Sequence, residues 1–214
     1  MNDLIKDGLK LVVITLVAGL VLGAIYGITK EPIAAQEAKK QQEAYQAVFP
    51  DAAAFENVEG FTEEAAQEVI AENDNVIDGH ESDEISSAVS ALDDSGNALG
   101  YIFNVTTSKG YGGDIQLTVG IQADGTVNGY SVLSIGETAG LGMHANDKGE
   151  GSWGTQFNEK QVESFDVVKD GSGASDDAKI DAISGATITS KAVTGAMNSC
   201  IAYFETLEGG NADE

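Results

Sequence analysis

The apolar positions of this chain change their period three times. Leu11 to Thr29, LVVITLVAGLVLGAIYGIT, holds 19 residues without a charge. As a helix it spans roughly 28 Å at about 1.5 Å per residue, close to one hydrocarbon core. Lys6 and Lys10 stand before it, Lys30 stands after it, and Tyr26 lies near the second interface. The run is longer than the h-region of a cleaved secretory signal, about 7–15 residues, so it reads as a retained single-pass anchor. A short leader before a first anchor predicts a cytoplasmic N-terminus and a main domain outside the cytoplasm. Gly19, Gly23 and Gly27 would form one small-residue stripe on that helix, which suits close approach of a neighbouring helix.

Beyond the anchor, Glu31 to Val48 is rich in Ala, Gln, Glu and Lys and predicts a connecting helix. Pro32 fits its first turn and Pro50 marks its end. Glu63 to Glu72 predicts a second short helix. Asn73 to Glu84, NDNVIDGHESDE, resembles a calcium loop superficially. With Gly79 at position six, however, Val76 and Ile85 fall where oxygen ligands are required, so it reads as a solvated loop. From Ile85 the period becomes two. Strands are expected at 87–92, 100–107, 115–121 and 127–133, with turns at Asp93–Asn97 and Ala123–Thr126. Asp181 to Leu207 reads as a loop running into a helix, with Ala192, Val193, Ala196, Cys200, Ile201 and Phe204 on its buried face. The fold class expected is α+β, an antiparallel sheet with packed helices behind one N-terminal transmembrane helix. The divisions are a leader (1–10), the anchor (11–29), the connecting helix (30–50), the main domain (51–208, core motifs 85–207) and an acidic tail (209–214).

Charge narrows the function. The 214 residues include 35 Asp plus Glu against 11 Lys and no Arg, a formal net charge of −24. That balance excludes a nucleic-acid-binding face. One Cys and two His offer no disulfide framework and no metal cluster. Cys200 reads as a packed apolar residue, His144 as a surface residue, and His80 carries no chemistry.

Two segments do carry chemistry. Asp181-Ala-Ile-Ser-Gly-Ala-Thr-Ile-Thr-Ser-Lys is a glycine turn feeding a helix, with Thr187, Thr189 and Ser190 at the entry. Hydroxyls there cap free amides, and the same amides with the helix dipole suit a phosphate. The segment serves equally as an ordinary capped helix start. Gly136-Glu-Thr-Ala-Gly-Leu-Gly is a loop with one acid and one hydroxyl whose glycines permit close approach to a flat ligand. Trp153 and Phe157 follow and are candidates to wall an aromatic ring, or to be plain core residues. Lys109-Gly-Tyr-Gly-Gly-Asp-Ile is a further glycine-rich turn before a strand.

In this order, behind an anchor, these motifs resemble one family: the FMN-binding domain shared by the G subunit of the Rnf complex and the C subunit of the sodium-pumping NADH:quinone reductase. Asp181-x-x-Ser-Gly-Ala-Thr is similar to that family's flavinylation motif. The resemblance implies that Thr187 carries FMN through a phosphoester bond made by a separate flavin transferase. It implies that Ser184, Gly185 and Ala186 shape the turn and that Asp181 orients it. Thr189 and Ser190 would be phosphate or cap contacts. Glu137-Thr-Ala-Gly-Leu-Gly resembles the flavin loop, which assigns Glu137, Thr138, Leu141 and Gly142 to the ring side, and Trp153 is counted with them as a cofactor-binding candidate. Ala139 departs from the pattern, which usually has Pro there. A covalent tether also fits the charge, since a phosphodiester carries about −1 where a free FMN phosphate approaches −2 beside an acidic domain with few cations. The compact size is similar to the Rnf protein. The resemblance therefore implies an electron relay with no substrate site of its own and no catalytic or metal residues. That relay would work in the cell (inner) membrane among other membrane subunits and lipid, passing electrons between ferredoxin and NAD+ with Na+ or H+ translocation. The quinone-reductase protein is the alternative within the family; an anchored acidic structural or ion-binding domain without cofactor is the alternative outside it.

Overall fold

The computed structural model describes residues 2–73, 76 and 79–209. The chain divides into two units, residues 1–42 and 43–214. The first unit lies within a single helix, α1 (Asn2–Val48). An 18-residue window of it reaches a mean hydropathy of 2.5 with none of it buried, so it is long and apolar enough to cross a membrane. The separate helix start expected at Pro32 is absent, because α1 runs from Asn2 through Pro32 to Val48. The ring costs the ladder one amide, but the helix formers on either side carry the helix past it.

The second unit is built on a five-stranded sheet of order β1-β2-β3-β4-β5. The strands are β1 (Ala54–Asn57), β2 (Glu84–Leu92), β3 (Ala98–Thr107), β4 (Ile115–Gln122) and β5 (Val127–Ser134), all antiparallel to their neighbours. Helix α2 (Glu63–Glu72) has the expected bounds, and the Thr62 hydroxyl accepts from the Ala65 amide to cap it. Helix α3 (Thr187–Gly209) ends the described chain. The acidic tail expected at 209–214 lies outside the described residues, Gly209 apart.

Period-two alternation gives the sheet two apolar faces. Phe103 and Val105 of β3 point into the larger core with α2 and α3, whereas Ile102 joins Val48, Phe49, Ala52, Val89 and Ala91 on the opposite face. Phe49 packs closely on the sheet because Gly100 and Gly120 have no side chain there; a Cβ on Gly120 would stand 3.1 Å from its ring. Ala192, Val193, Ala196, Cys200, Ile201 and Phe204 of α3 are buried, as the pattern predicts.

The sequence pattern missed three short strands. β1 is one. The others are β6 (Asp166–Val168) and β7 (Lys179–Asp181), which form a parallel two-stranded sheet. Segments of three residues carry no periodicity to read. The expected solvated loop at 73–84 also needs correction where it is described; residues 74, 75, 77 and 78 fall outside the described residues. His80 and Asp83 are 4% and 0% exposed. They pair at 2.7 Å between Nδ1 and Oδ2, and the Ser199 hydroxyl donates to the same Asp83 oxygen at 3.3 Å. The imidazole packs on the bare Cα of Gly195 in α3. A polar sequence thus hides a buried pair, since mutual pairing offsets the desolvation of both groups.

Candidate functional site

Two tight turns face each other at the start of α3. In the first, the Leu141 amide donates to the Thr138 carbonyl at 3.1 Å, with Gly140 at φ +75°. In the second, the Ala186 amide donates to the Ile183 carbonyl at 2.9 Å, with Gly185 at φ +76°. A positive φ at the third turn residue is what glycine supplies without strain. The turns touch: a Cβ on Gly185 would stand 3.1 Å from Leu141 Cδ2.

Between them opens a cleft of about 540 Å³. Its lining comes from Tyr111, from Glu137, Thr138, Leu141 and Gly142, and from Gly185 through Thr189. Thr187 is the first residue of α3. The amides of that first turn lack intrahelical acceptors and sit at the positive end of the dipole. Thr187 therefore lines the cleft at the helix end whose open amides suit an anionic group. Leu141, Ile188 and Tyr111 are 42%, 53% and 71% exposed. Outside α1 these are the large apolar side chains left exposed among the described residues, and all three line this cleft.

Glu137 forms the floor. It is buried, and its Oε1 accepts from the Gly112 amide at 3.2 Å. This bond holds the Gly110–Gly113 turn against the loop. Glycines are obligatory around it, since a Cβ on Gly110 would come within 2.8 Å of Oε1. One on Gly142 would come within 2.7 Å of Oε2 and 2.5 Å of Thr189 Oγ1. The volume lies in the usual range for a cofactor pocket. Its apolar rim suits a flat ring and its helix start suits a phosphate, so these residues fit FMN. No lysine lines it among the described residues, and exposed Lys191 lies outside it.

Of the residues singled out from sequence, the cleft gathers Thr187, Gly185, Ala186, Thr189, Glu137, Thr138, Leu141 and Gly142. It does not gather Asp181, Ser184, Ser190 or Trp153. Ser190 is wholly buried, and its hydroxyl accepts from the Ile183 amide at 2.9 Å and donates to the Ala186 carbonyl at 3.0 Å. It straps the turn. Trp153 packs edge-on against Phe157 at 5.4 Å, and its Nε1 donates to the Asp181 carbonyl at 2.6 Å. The Asp181 amide donates to Gln156 Oε1 at 2.8 Å. Trp153 and Gln156 thus pin the end of β7 from behind rather than walling the cleft. Ser184 is exposed on the outer side of its turn. Sequence reasoning missed Ile188, whose signal was an apolar residue alone among hydroxyls, and took Tyr111 only as part of a turn.

Comparison with known proteins bears on this geometry. Residues 110–202, which contain the whole lining of the cleft, match the sequence model of the FMN-binding domain. Residues 1–48 match that of the RnfG N-terminal region. The G subunit of the Na(+)-translocating ferredoxin:NAD(+) oxidoreductase complex of Acetobacterium woodii is 34% identical over 203 residues, 94% of this chain and 92% of that protein. The chain belongs to the RnfG family, the G subunits of ion-translocating oxidoreductase complexes. The G subunit of the proton-translocating ferredoxin:NAD(+) oxidoreductase complex of Clostridium ljungdahlii is 30% identical over 211 residues, 98% of this chain and 96% of that protein. The G subunit of the ion-translocating oxidoreductase complex of Methanosarcina acetivorans is 32% identical over 210 residues, 97% and 98% of the two chains. The crystal structure of Shewanella oneidensis NqrC aligns with a TM-score of 0.46 at 26% identity, covering 59% of this chain and 62% of that one. The resemblance drawn from the motifs is borne out, and the N-terminal match favours RnfG over its quinone-reductase counterpart.

Proposed function

We propose that this chain is a membrane-anchored flavoprotein subunit that carries FMN esterified through its phosphate to Thr187. It relays electrons within a ferredoxin:NAD+ oxidoreductase complex coupled to Na+ or H+ translocation. The observation that carries this reading is the position of one hydroxyl. Thr187 stands at the first turn of α3 and lines a cleft of about 540 Å³ with an apolar rim. Relatives of comparable similarity are named for sodium and for proton translocation, so both ions stay within the proposal.

Bound FMN supplies chemistry that accepts and returns electrons one at a time. The protein's own groups position it. The open amides at the head of α3 donate to the phosphate oxygens. As the Thr187 oxygen bonds to the FMN phosphorus, the bond from that phosphorus to its leaving group breaks and the hydroxyl proton departs with that group; the diester left carries about −1, which an acidic domain tolerates better than a free phosphate. Thr138 and Thr189 border the space beside it, and Leu141, Ile188 and Tyr111 shield a ring from water. A flavin transferase makes the ester, and α1 holds the domain at the outer face of the cell (inner) membrane, among lipid and the other subunits.

The experiment is co-production with a flavin transferase. The intact chain should gain the mass of one FMN less one water and should fluoresce on a denaturing gel. Thr187→Ala should abolish both. A Thr187→Ala chain that keeps covalent flavin overturns the attachment, as does an unmodified wild-type chain.

A further inference from the structure

Among the described residues one carboxyl group lines the cleft, and its two oxygens do different things. Oε1 of Glu137 accepts from the Gly112 amide at 3.2 Å. Oε2 faces Gly142 beside Thr189 Oγ1, with room for no side chain between them. Glu137 is 8% exposed. No ion pair reaches it among the described residues, and no lysine lines the cleft with it. A glutamine of the same shape would satisfy Gly112 equally well, so the bond does not account for the charge.

We propose that Glu137 is a positioning residue for the flavin, one that locks the Gly110–Gly113 turn onto the cleft and lowers the flavin's reduction potential with its buried charge. The proposal rests on the attachment at Thr187. An electron arriving on the ring without a proton adds negative charge to the cleft, and a fixed carboxylate there opposes it. The chain's many surface acids act in the same sense. They are screened over about 8–10 Å at physiological salt, whereas a buried charge is screened much less. One buried carboxylate therefore outweighs any single surface acid. Removing it should raise the reduced-to-oxidised flavin ratio about tenfold at fixed ambient potential.

The test is a redox titration of the full-length, flavinylated chain against Glu137→Gln, with exposed Glu150→Gln as the control. Glutamine keeps the Gly112 acceptor and removes only the charge. The expected result is that Glu137→Gln is flavinylated, melts near the wild type and shows the tenfold rise, while Glu150→Gln changes the ratio less than about twofold. A Glu137→Gln ratio within the range of the surface control overturns the proposal, since a purely structural role would leave the ratio unmoved. Should Glu137→Gln fail to fold, the wild type decides. A reduced fraction that climbs tenfold from dilute to molar salt assigns the effect to surface acids and overturns the proposal; one that stays low supports a salt-shielded charge, for which Glu137 is the carboxyl that lines the cleft among the described residues. A wild-type chain with no adduct removes the attachment and this proposal together; an adduct with an insensitive ratio removes this proposal alone.

Discussion

The Ile183 amide donates to the Ser190 hydroxyl at 2.9 Å, and that hydroxyl donates onward to the Ala186 carbonyl at 3.0 Å. One buried side chain thus ties both ends of the turn that presents Thr187. Ser190→Ala leaves the buried Ile183 amide without an acceptor, at a cost of about 1–3 kcal/mol. Denaturant unfolding should show that loss, and the fraction of chain carrying covalent flavin should fall with it. A variant of wild-type stability would show that water replaces the strap.

Ala139 occupies the second position of the turn closed by Leu141 N–H and the Thr138 carbonyl, a position that suits proline. Its amide donates no hydrogen bond in this turn. Ala139→Pro should therefore stabilise the chain by about 0.4–1 kcal/mol through the unfolded state. The check is a rise in the urea midpoint at unchanged slope. A fall would mean that Ala139 does not hold the φ proline requires.

His80 and Asp83 are a buried pair in the segment before β2, packed against Gly195 and Ser199 of α3. His80→Ala strips Asp83 of its imidazole and should cost about 3–5 kcal/mol. Replacing both residues with apolar ones should cost less than the single change. Thermal melts of the two variants decide this, and equal losses would mean that packing against Gly195, rather than charge pairing, is what matters.

Alkaline pH should destabilise the fold. Burial, with Asp83 behind it, pushes the Cys200 thiol well above its ordinary value. Burial, with Asp147 behind it, pushes the Tyr130 phenol up as well. The folded chain keeps protons that the unfolded chain releases near about pH 8.5 for Cys and about pH 10 for Tyr. Their contribution is complete below about pH 8.5 and is lost as pH rises, at about 1.4 kcal/mol per unit for the thiol. Urea titrations from pH 7 to 10.5 test the slope. A thiol reagent should modify Cys200 only as the chain unfolds.

How much the sequence disclosed depended on the length of its patterns. The four long strands and both helices of the second unit were legible because alternation and helical periodicity extend over many residues. Thr187, Glu137 and Leu141 were singled out because they stand in two glycine-containing motifs that resemble a known family, and the fold brings all three to one cleft. What stayed hidden is tertiary. Ser190 reads as one more helix-entry hydroxyl until the fold brings Ile183 to it. Trp153 reads as a ring wall until its indole is found on the back of β7. His80 sits in a polar run, and nothing local announces its burial. Pro32 looks like a helix start because a single chain cannot show that its neighbours sustain the helix.

Helix α3 is buried almost continuously from Ala192 to Phe204. Interiors packed this tightly yield little to a change of charge. A redox centre fastened to the head of such a helix would stand on a rigid post, so each arriving electron meets surroundings that scarcely rearrange. With the proposed flavin attached there, the reorganisation energy of transfer would be small, and a carrier so placed would pass electrons on in both directions without waiting for the protein to move.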